Sequence, residues 1–404
     1  MTDNAVIANR AEMPMLRTCP FDPPPGLMTA QQQGGVSRVR IWDGSEPWLV
    51  TGYKEVREVL AHPLISSDPD RGEFPFPNPG MQARRGGRKV MVNMDGAEHQ
   101  KLRRMLTRDF MVSRARALRP KIQGIVDSLI TKMLAGNNPT DFVEAFALPL
   151  PSLVICELLG VPYEESDHLE ELSRIQLSMH STGEQAAAAL RGMLEFLGKV
   201  VDDKIASPQD DMVSRLVVEQ MRTGFLTRDE LVDCCQLLYL AGHETTANQI
   251  ALSTLLFLQK THLLDQLRTT DDPAVIANAV EEMLRYNTIL HLGVFRVAGE
   301  DFELAGHQIK AGDGVIVALN AANRDEAAFD AADQIDFARK ARHHVAFGFG
   351  VHQCLGQPLA REELEVVYST LFRRIPTLAL AAPVSALEFK NSMVYGVRSL
   401  PVTW

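Results

Sequence analysis

Three things are scarce in this 404-residue chain: cysteine, net positive charge and uninterrupted apolar sequence. Five cysteines, an odd number with no close metal-type pair, exclude a disulfide framework and fit a reducing compartment. A formal charge of −10 argues against nucleic acid as a partner, because phosphate binding needs a basic surface. No run qualifies as a membrane span. The most apolar stretch, Leu237 to Leu258, is interrupted by His243, Glu244, Asn248 and Gln249. The polar, proline-containing segment Met1 to Pro25 lacks the apolar core of a secretion signal. Repeats and low-complexity linkers are also missing. The expectation is a cytoplasmic protein, away from membranes and monomeric.

What is present is ordinary globular material, 46% hydrophobic and 23% charged, in a chain long enough for a large core. Short strand-like pieces occupy Val36 to Trp42 and Trp48 to Thr51. Asp68 to Lys89, rich in Pro, Gly and Arg, reads as a long loop, and such loops tend to be functional or mobile. Helical periodicity then dominates to about Tyr286, and residues 289–319 switch to β-type runs. Thr227-Arg228-Asp229-Glu230 is a capping box ahead of a helix predicted to run to about Lys260. The predicted class is mainly α with a minor β part (α+β), residues 1–404 forming one domain.

Two local sequences break the rules of their surroundings. Phe347-Gly348-Phe349-Gly350-Val351-His352-Gln353-Cys354-Leu355-Gly356 sets one cysteine in a glycine-rich loop, with an amphipathic segment from about Leu355 to Phe372 behind it. A helix start offers unpaired N–H groups that stabilise a thiolate, and glycines allow close approach to something flat and bulky. That combination reads as a sulfur ligand to haem iron. Ala241-Gly242-His243-Glu244-Thr245-Thr246 puts a glycine, two β-branched residues and an acid in the middle of the most apolar helix. Each choice is unfavourable there. Small residues leave room for a ligand, and a hydroxyl beside a carboxyl can relay protons. The bland alternative is a kinked core helix whose acid has a partner.

Both stretches resemble the cytochromes P450. The cysteine loop matches the pattern Phe-Gly-x-Gly-x-His-x-Cys-x-Gly at every fixed position, and the helix matches the oxygen-activation motif of that family. The resemblance implies haem b held through Cys354, with Phe347, Gly356 and Ala241 beside it. It implies dioxygen as co-substrate, with Thr245 and Glu244 as the acid–alcohol pair. His99 and Arg103, one helical turn apart, together with Arg296 and His352, are implied partners of the haem propionates. Glu282 and Arg285 with Arg339 are the implied structural network around the cysteine loop. Met94-Asp95-Gly96-Ala97-Glu98 departs from the common Met-Asp-Pro-Pro-Glu and loses both prolines before His99.

By the same resemblance, the fold is the triangular P450 fold, with haem between a long central helix and the cysteine loop. The activity is hydroxylation of a hydrophobic small molecule such as a polyketide, macrolide, terpenoid, sterol-like compound or xenobiotic. Candidate pocket residues are Phe76, Leu177, His180, Leu237, Ile289, Leu290, His291, Val294 and Val394, the two histidines as polar anchors. Each is as consistent with ordinary core. With no flavin or iron–sulfur motif in the chain, electrons are expected from a ferredoxin and its reductase. Basic residues such as Arg104, Arg361 and Arg373 are the expected docking contacts. The rivals are a nitric-oxide-reducing P450, which has a run like Phe146 to Ser152, a peroxide-using P450, and a non-catalytic haem protein. The intact Glu244-Thr245 pair weighs against all three.

Overall fold

The computed structural model describes residues 11–83, 85–162, 165–177, 181–390 and 392–404, the side chains of Ser166 and Leu177 excepted. Helix predominates and strands are short, as the sequence predicts. The chain divides into two compact units.

The first unit takes the described residues up to Asp95, Leu284–Ile335 and Ala341–Cys354. Its centre is a five-stranded sheet in the order Val36–Arg38, Trp48–Val50, Gly314–Val317, Val294–Ala298, Ile65–Ser66. Trp48–Val50 and Gly314–Val317 pair in parallel and the other neighbours are antiparallel. Alternation along Val294–Ala298 buries Phe295 and Val297 and leaves Val294 and Arg296 half-exposed on the other face. Val56, Val59 and Leu60, from the helix Tyr53–Ala61, join Val50, Val315 and Val317 in the core. The first predicted strand is shorter than expected, ending at Arg38.

The expected loop between Asp68 and Lys89 holds a one-turn helix, Pro79–Gln82, capped by Asn78. Its ends are tied together: Lys89 Nζ lies 2.8 Å from Asp68 and 3.1 Å from Asp70. Asp70 also accepts the Gly86 amide at 2.6 Å.

The second unit, Gly96–Met283, Asp336–Lys340 and Leu355–Trp404, is helical. Its central helix, Arg228–Gln259, starts where the capping box predicts, Thr227 Oγ1 accepting the Glu230 amide and Glu230 Oε2 accepting the Thr227 amide. Around it pack Pro149–Leu159 and Gly183–Ala206, and Gln357–Arg374 lies on Val112–Ala135. Gly160, at the end of Pro149–Leu159, is left-handed with φ 74°, and a Cβ there would stand 2.4 Å from the Asp211 carboxyl. Only glycine fits. The helix after the cysteine begins at Gln357, two residues later than predicted. Pro358 takes a first-turn position there, where its missing N–H costs nothing.

Candidate active site

In the first unit the cysteine loop closes on itself, the Cys354 amide donating to the Phe347 carbonyl at 2.8 Å. Gly348 and Gly350 are both left-handed, φ 71° and 73°. At Gly350 a side chain would also collide with the Leu60 carbonyl at 2.3 Å. Cys354 is the one exposed cysteine of the five. Cys156, Cys234 and Cys235 are buried, and burial pushes the first two thiols up to about 12 and the third further. Cys19 is half-buried, which leaves the loop cysteine as the exposed one.

Two residues before it, His352 Nε2 lies 3.2 Å from Ser67 Oγ and 3.4 Å from Asp95 Oδ1. Asp95 also takes the Ser66 hydroxyl and the Ser67 amide. Burial pushes the Asp95 carboxyl up, but the bonds from His352, Ser66 and Ser67 outweigh it and hold the acid well below the usual range. Arg296, on the sheet face that also carries Val294, is half-exposed and donates to the Phe295 carbonyl at 2.7 Å. Burial lowers its guanidinium to about 10, with the Asp95 charge opposing. A half-buried cation bonded to one neutral carbonyl fits a carboxylate ligand such as a propionate.

In the second unit, His99 and Arg103 sit one turn apart on Gly96–Thr107, His99 buried and Arg103 half-buried. The central helix is covered on all sides from Thr246 to Phe257. Further back it opens. Leu237, Leu240, Glu244 and Thr245 are half-exposed and Ala241 exposed. These positions follow i, i+3, i+4, i+7, i+8, one face at helical spacing. A bare stripe on the most buried helix provides room for a bulky ligand. Gly242 is not part of it; a Cβ there would meet Ile155 at an ordinary 3.5 Å. Within the stripe, Thr245 Oγ1 donates to the Ala241 carbonyl at 2.6 Å. Glu244 Oε1 accepts from Lys390 Nζ at 3.0 Å.

Glu282 is fully buried, and its Oε1 accepts from Arg339 Nε and from the Asp336 amide, each at 3.0 Å. Arg285, also fully buried, donates to the carbonyls of Asn323, Ala332 and Gln334 at 2.7–2.9 Å.

Among the pocket candidates, Leu237, Ile289, Leu290, Val294 and Val394 are half-exposed. Phe76 is buried against Phe74. His291 is buried with Arg17 Nε 3.3 Å from its Nδ1, which makes it a core histidine rather than an open anchor. His180 and the Leu177 side chain lie outside the described residues. Arg361 is held by both carboxylate oxygens of Glu281, so it is no free docking cation. Sequence reasoning missed Lys390, 146 residues from Glu244. It also missed Asp95 as the partner of His352. Nothing local in the sequence marks either pair.

The family model for cytochrome P450 matches residues 155–376. Cytochrome P450-SU2 of Streptomyces griseolus is 48% identical over 96% of this chain and 94% of its own. Pentalenic acid synthase of Streptomyces avermitilis is 44% identical over 97% of this chain and 96% of its own. The crystal structure of the mycinamicin VIII C21 methyl hydroxylase of Micromonospora griseorubida, bound to mycinamicin VIII, superposes with a TM-score of 0.91. It shares 39% identity and covers 98% of this chain and all of that one. The chain belongs to the cytochrome P450 family. It is a monooxygenase of that family, whose members carry haem-thiolate iron and use dioxygen. Among the described residues no helix is long and apolar enough to cross a membrane.

Proposed function

We propose that this chain hydroxylates a hydrophobic small molecule, with haem b bound through Cys354 and electrons delivered by a ferredoxin and its reductase. The carrying observation is that Cys354 is the most exposed of the five cysteines, on a loop with two left-handed glycines, one of which, Gly350, has no room for a side chain. When bound, the haem supplies activation of dioxygen and insertion of one oxygen atom into a C–H bond. The protein's part is holding and proton delivery. Cys354 Sγ holds the iron as thiolate, beside Phe347 and Gly356. His99, Arg103, Arg296 and His352 hold the propionates, His352 oriented by Asp95. Thr245 has its proton committed to the Ala241 carbonyl, so its oxygen offers lone pairs to the open stripe. Glu244 takes up protons at its carboxylate and passes them toward that hydroxyl.

Three relatives support the substrate class by what they are named for: pentalenic acid, mycinamicin VIII and vitamin D3, all bulky and largely apolar. Half-exposed apolar side chains of the kind such a ligand meets occur in each unit: Ile289, Leu290 and Val294 in the first, Leu237 and Val394 in the second. The reading includes one domain over the chain, a cytoplasmic monomer, and no flavin or iron–sulfur cluster of its own. Its test is a carbon monoxide difference spectrum of the reduced protein, followed by spin-state titration with macrolides, terpenoids and sterols. Thiolate ligation gives the red-shifted Soret band, and a matching substrate gives the low-to-high-spin change. A band at the position of histidine-ligated haem rejects the Cys354 assignment.

A further inference from the structure

Glu244 is a half-buried acid on the open stripe of a helix that is packed on all sides from Thr246 to Phe257, and an ionised carboxylate there is costly without a partner. Its partner comes from the far end of the chain. A hairpin pairs Phe389–Lys390 with Gly396–Val397, Lys390 directly opposite Gly396. Gly396 lies so close to the central helix that a Cβ on it would fall 1.8 Å from Asn248 Oδ1. Asn248 is buried and donates through Nδ2 to the Glu244 carbonyl at 2.8 Å, one turn back. The glycine contact therefore sets the hairpin at the level of Glu244. Its cross-strand partner, Lys390, then reaches the acid at 3.0 Å. Both side chains are shielded, 20% and 16% exposed, so this pair is stronger than a solvated surface bridge. Lys390 occupies Oε1; Glu244 Oε2 has no partner among the described residues.

We propose that Lys390 is the positioning residue of Glu244: it anchors one carboxylate oxygen and leaves the other free to carry protons toward Thr245. The proposal rests on the role given to Glu244 above. It assigns to the C-terminal hairpin, through the Gly396–Asn248 contact, control over where that acid stands. The same hairpin region carries Val394, a pocket candidate.

The test uses holoenzyme, a ferredoxin–reductase pair and ethoxycoumarin as probe substrate, with product, peroxide and electron use measured together. Lys390→Met is compared with Lys390→Arg, Lys390→Gln, Glu244→Gln and the Met–Gln double variant. Lys390→Met is expected to lower product per electron pair several-fold and raise peroxide in step, kcat falling while KM holds. Lys390→Arg restores most of the coupling, and Lys390→Gln, which donates without charge, restores part. In thermal scans the loss of Tm from Lys390→Met is smaller in the Glu244→Gln background than in the wild type. Wild-type coupling in Lys390→Met, with Glu244→Gln uncoupled, overturns the proposal alone. Wild-type coupling in Glu244→Gln overturns it together with the role of Glu244. Should Lys390→Met fail to fold, wild-type coupling in Lys390→Gln and additive Tm losses for Lys390→Gln and Glu244→Gln overturn it equally.

Discussion

Thr245 donates its hydroxyl to the Ala241 carbonyl at 2.6 Å, back-bonding across one turn at the bare stripe of the central helix. Such a bond bends a helix and fixes the hydroxyl rotor. The oxygen is then an acceptor of defined direction, which a methyl cannot replace. Thr245→Ala should uncouple electron use from product, peroxide replacing product, with a loss on the order of 10²-fold in coupled rate if the group acts as a positioned proton carrier. Thr245→Ser, which keeps the oxygen, should retain most of it. Measuring peroxide against product decides the matter; equal coupling in the Ala variant removes Thr245 from proton delivery.

Cys354 should be the thiol that reacts fastest, ahead of the half-buried Cys19. In haem-free protein a maleimide at neutral pH is expected to label Cys354 quickly. Cys156, Cys234 and Cys235 should resist, since burial both hides them and pushes their thiols up, the first two to about 12. Haem should protect Cys354 from labelling. Mass mapping of labelled peptides with and without haem checks both statements, and labelling of Cys354 unaffected by haem counts against ligation.

The legible parts of this protein are those whose chemistry is local in sequence. Thr227 and Glu230 cap the central helix within four residues. The cysteine loop declares itself through glycines required at positive φ, and Glu244-Thr245 through residues ill-suited to an apolar helix. Pairing between distant segments was not legible. Lys390 meets Glu244 only because Gly396 lets a hairpin lie against Asn248, and Asp95 meets His352 only after the sheet forms. Burial depended on partners in the same way. His291 looked like an open anchor until Arg17 filled its side, and the loop from Asp68 looked loose until Lys89 tied its ends.

Glu282 and Arg339 form an ion pair with side chains 0% and 12% exposed, the carboxylate also holding the Asp336 amide. Removing one partner of such a pair strands the other charge, at about 3–5 kcal/mol. Glu282→Gln should lower Tm markedly and promote haem loss on warming, with less effect on the turnover of protein that remains folded. Arg339→Gln should act alike, and the double variant should lose less than the sum. Additive losses would mean that the two side chains stabilise the protein separately.

A last prediction concerns Glu170 and His243, 4.0 Å apart between Ser166–Leu177 and the central helix. Burial, with help from Glu144 and Asp167, raises the Glu170 carboxyl to about 7. Burial lowers His243 to about 4, the nearby Lys390 charge adding to it and Glu244 opposing. The two act on stability in opposite senses. Folded Glu170 binds its proton more tightly than the unfolded chain does, so its contribution is lost as pH rises from 4.5 through 7. Folded His243 resists protonation, so its contribution is lost as pH falls from 6.5 through 4. They oppose each other between the ordinary values of 4.5 and 6.5, and Glu170 alone acts above that window. Glu170→Gln keeps the shape and removes the titration, so its Tm relative to the wild type should climb with pH and level off above pH 7. By then the gain reaches at most about 3 kcal/mol. His243→Asn should instead show its relative gain on the acid side, as pH falls toward 4. Thermal scans of both variants across this range are the measurement, and parallel pH curves for Glu170→Gln and the wild type would show that Glu170 ionises in the folded protein as it does in the unfolded chain.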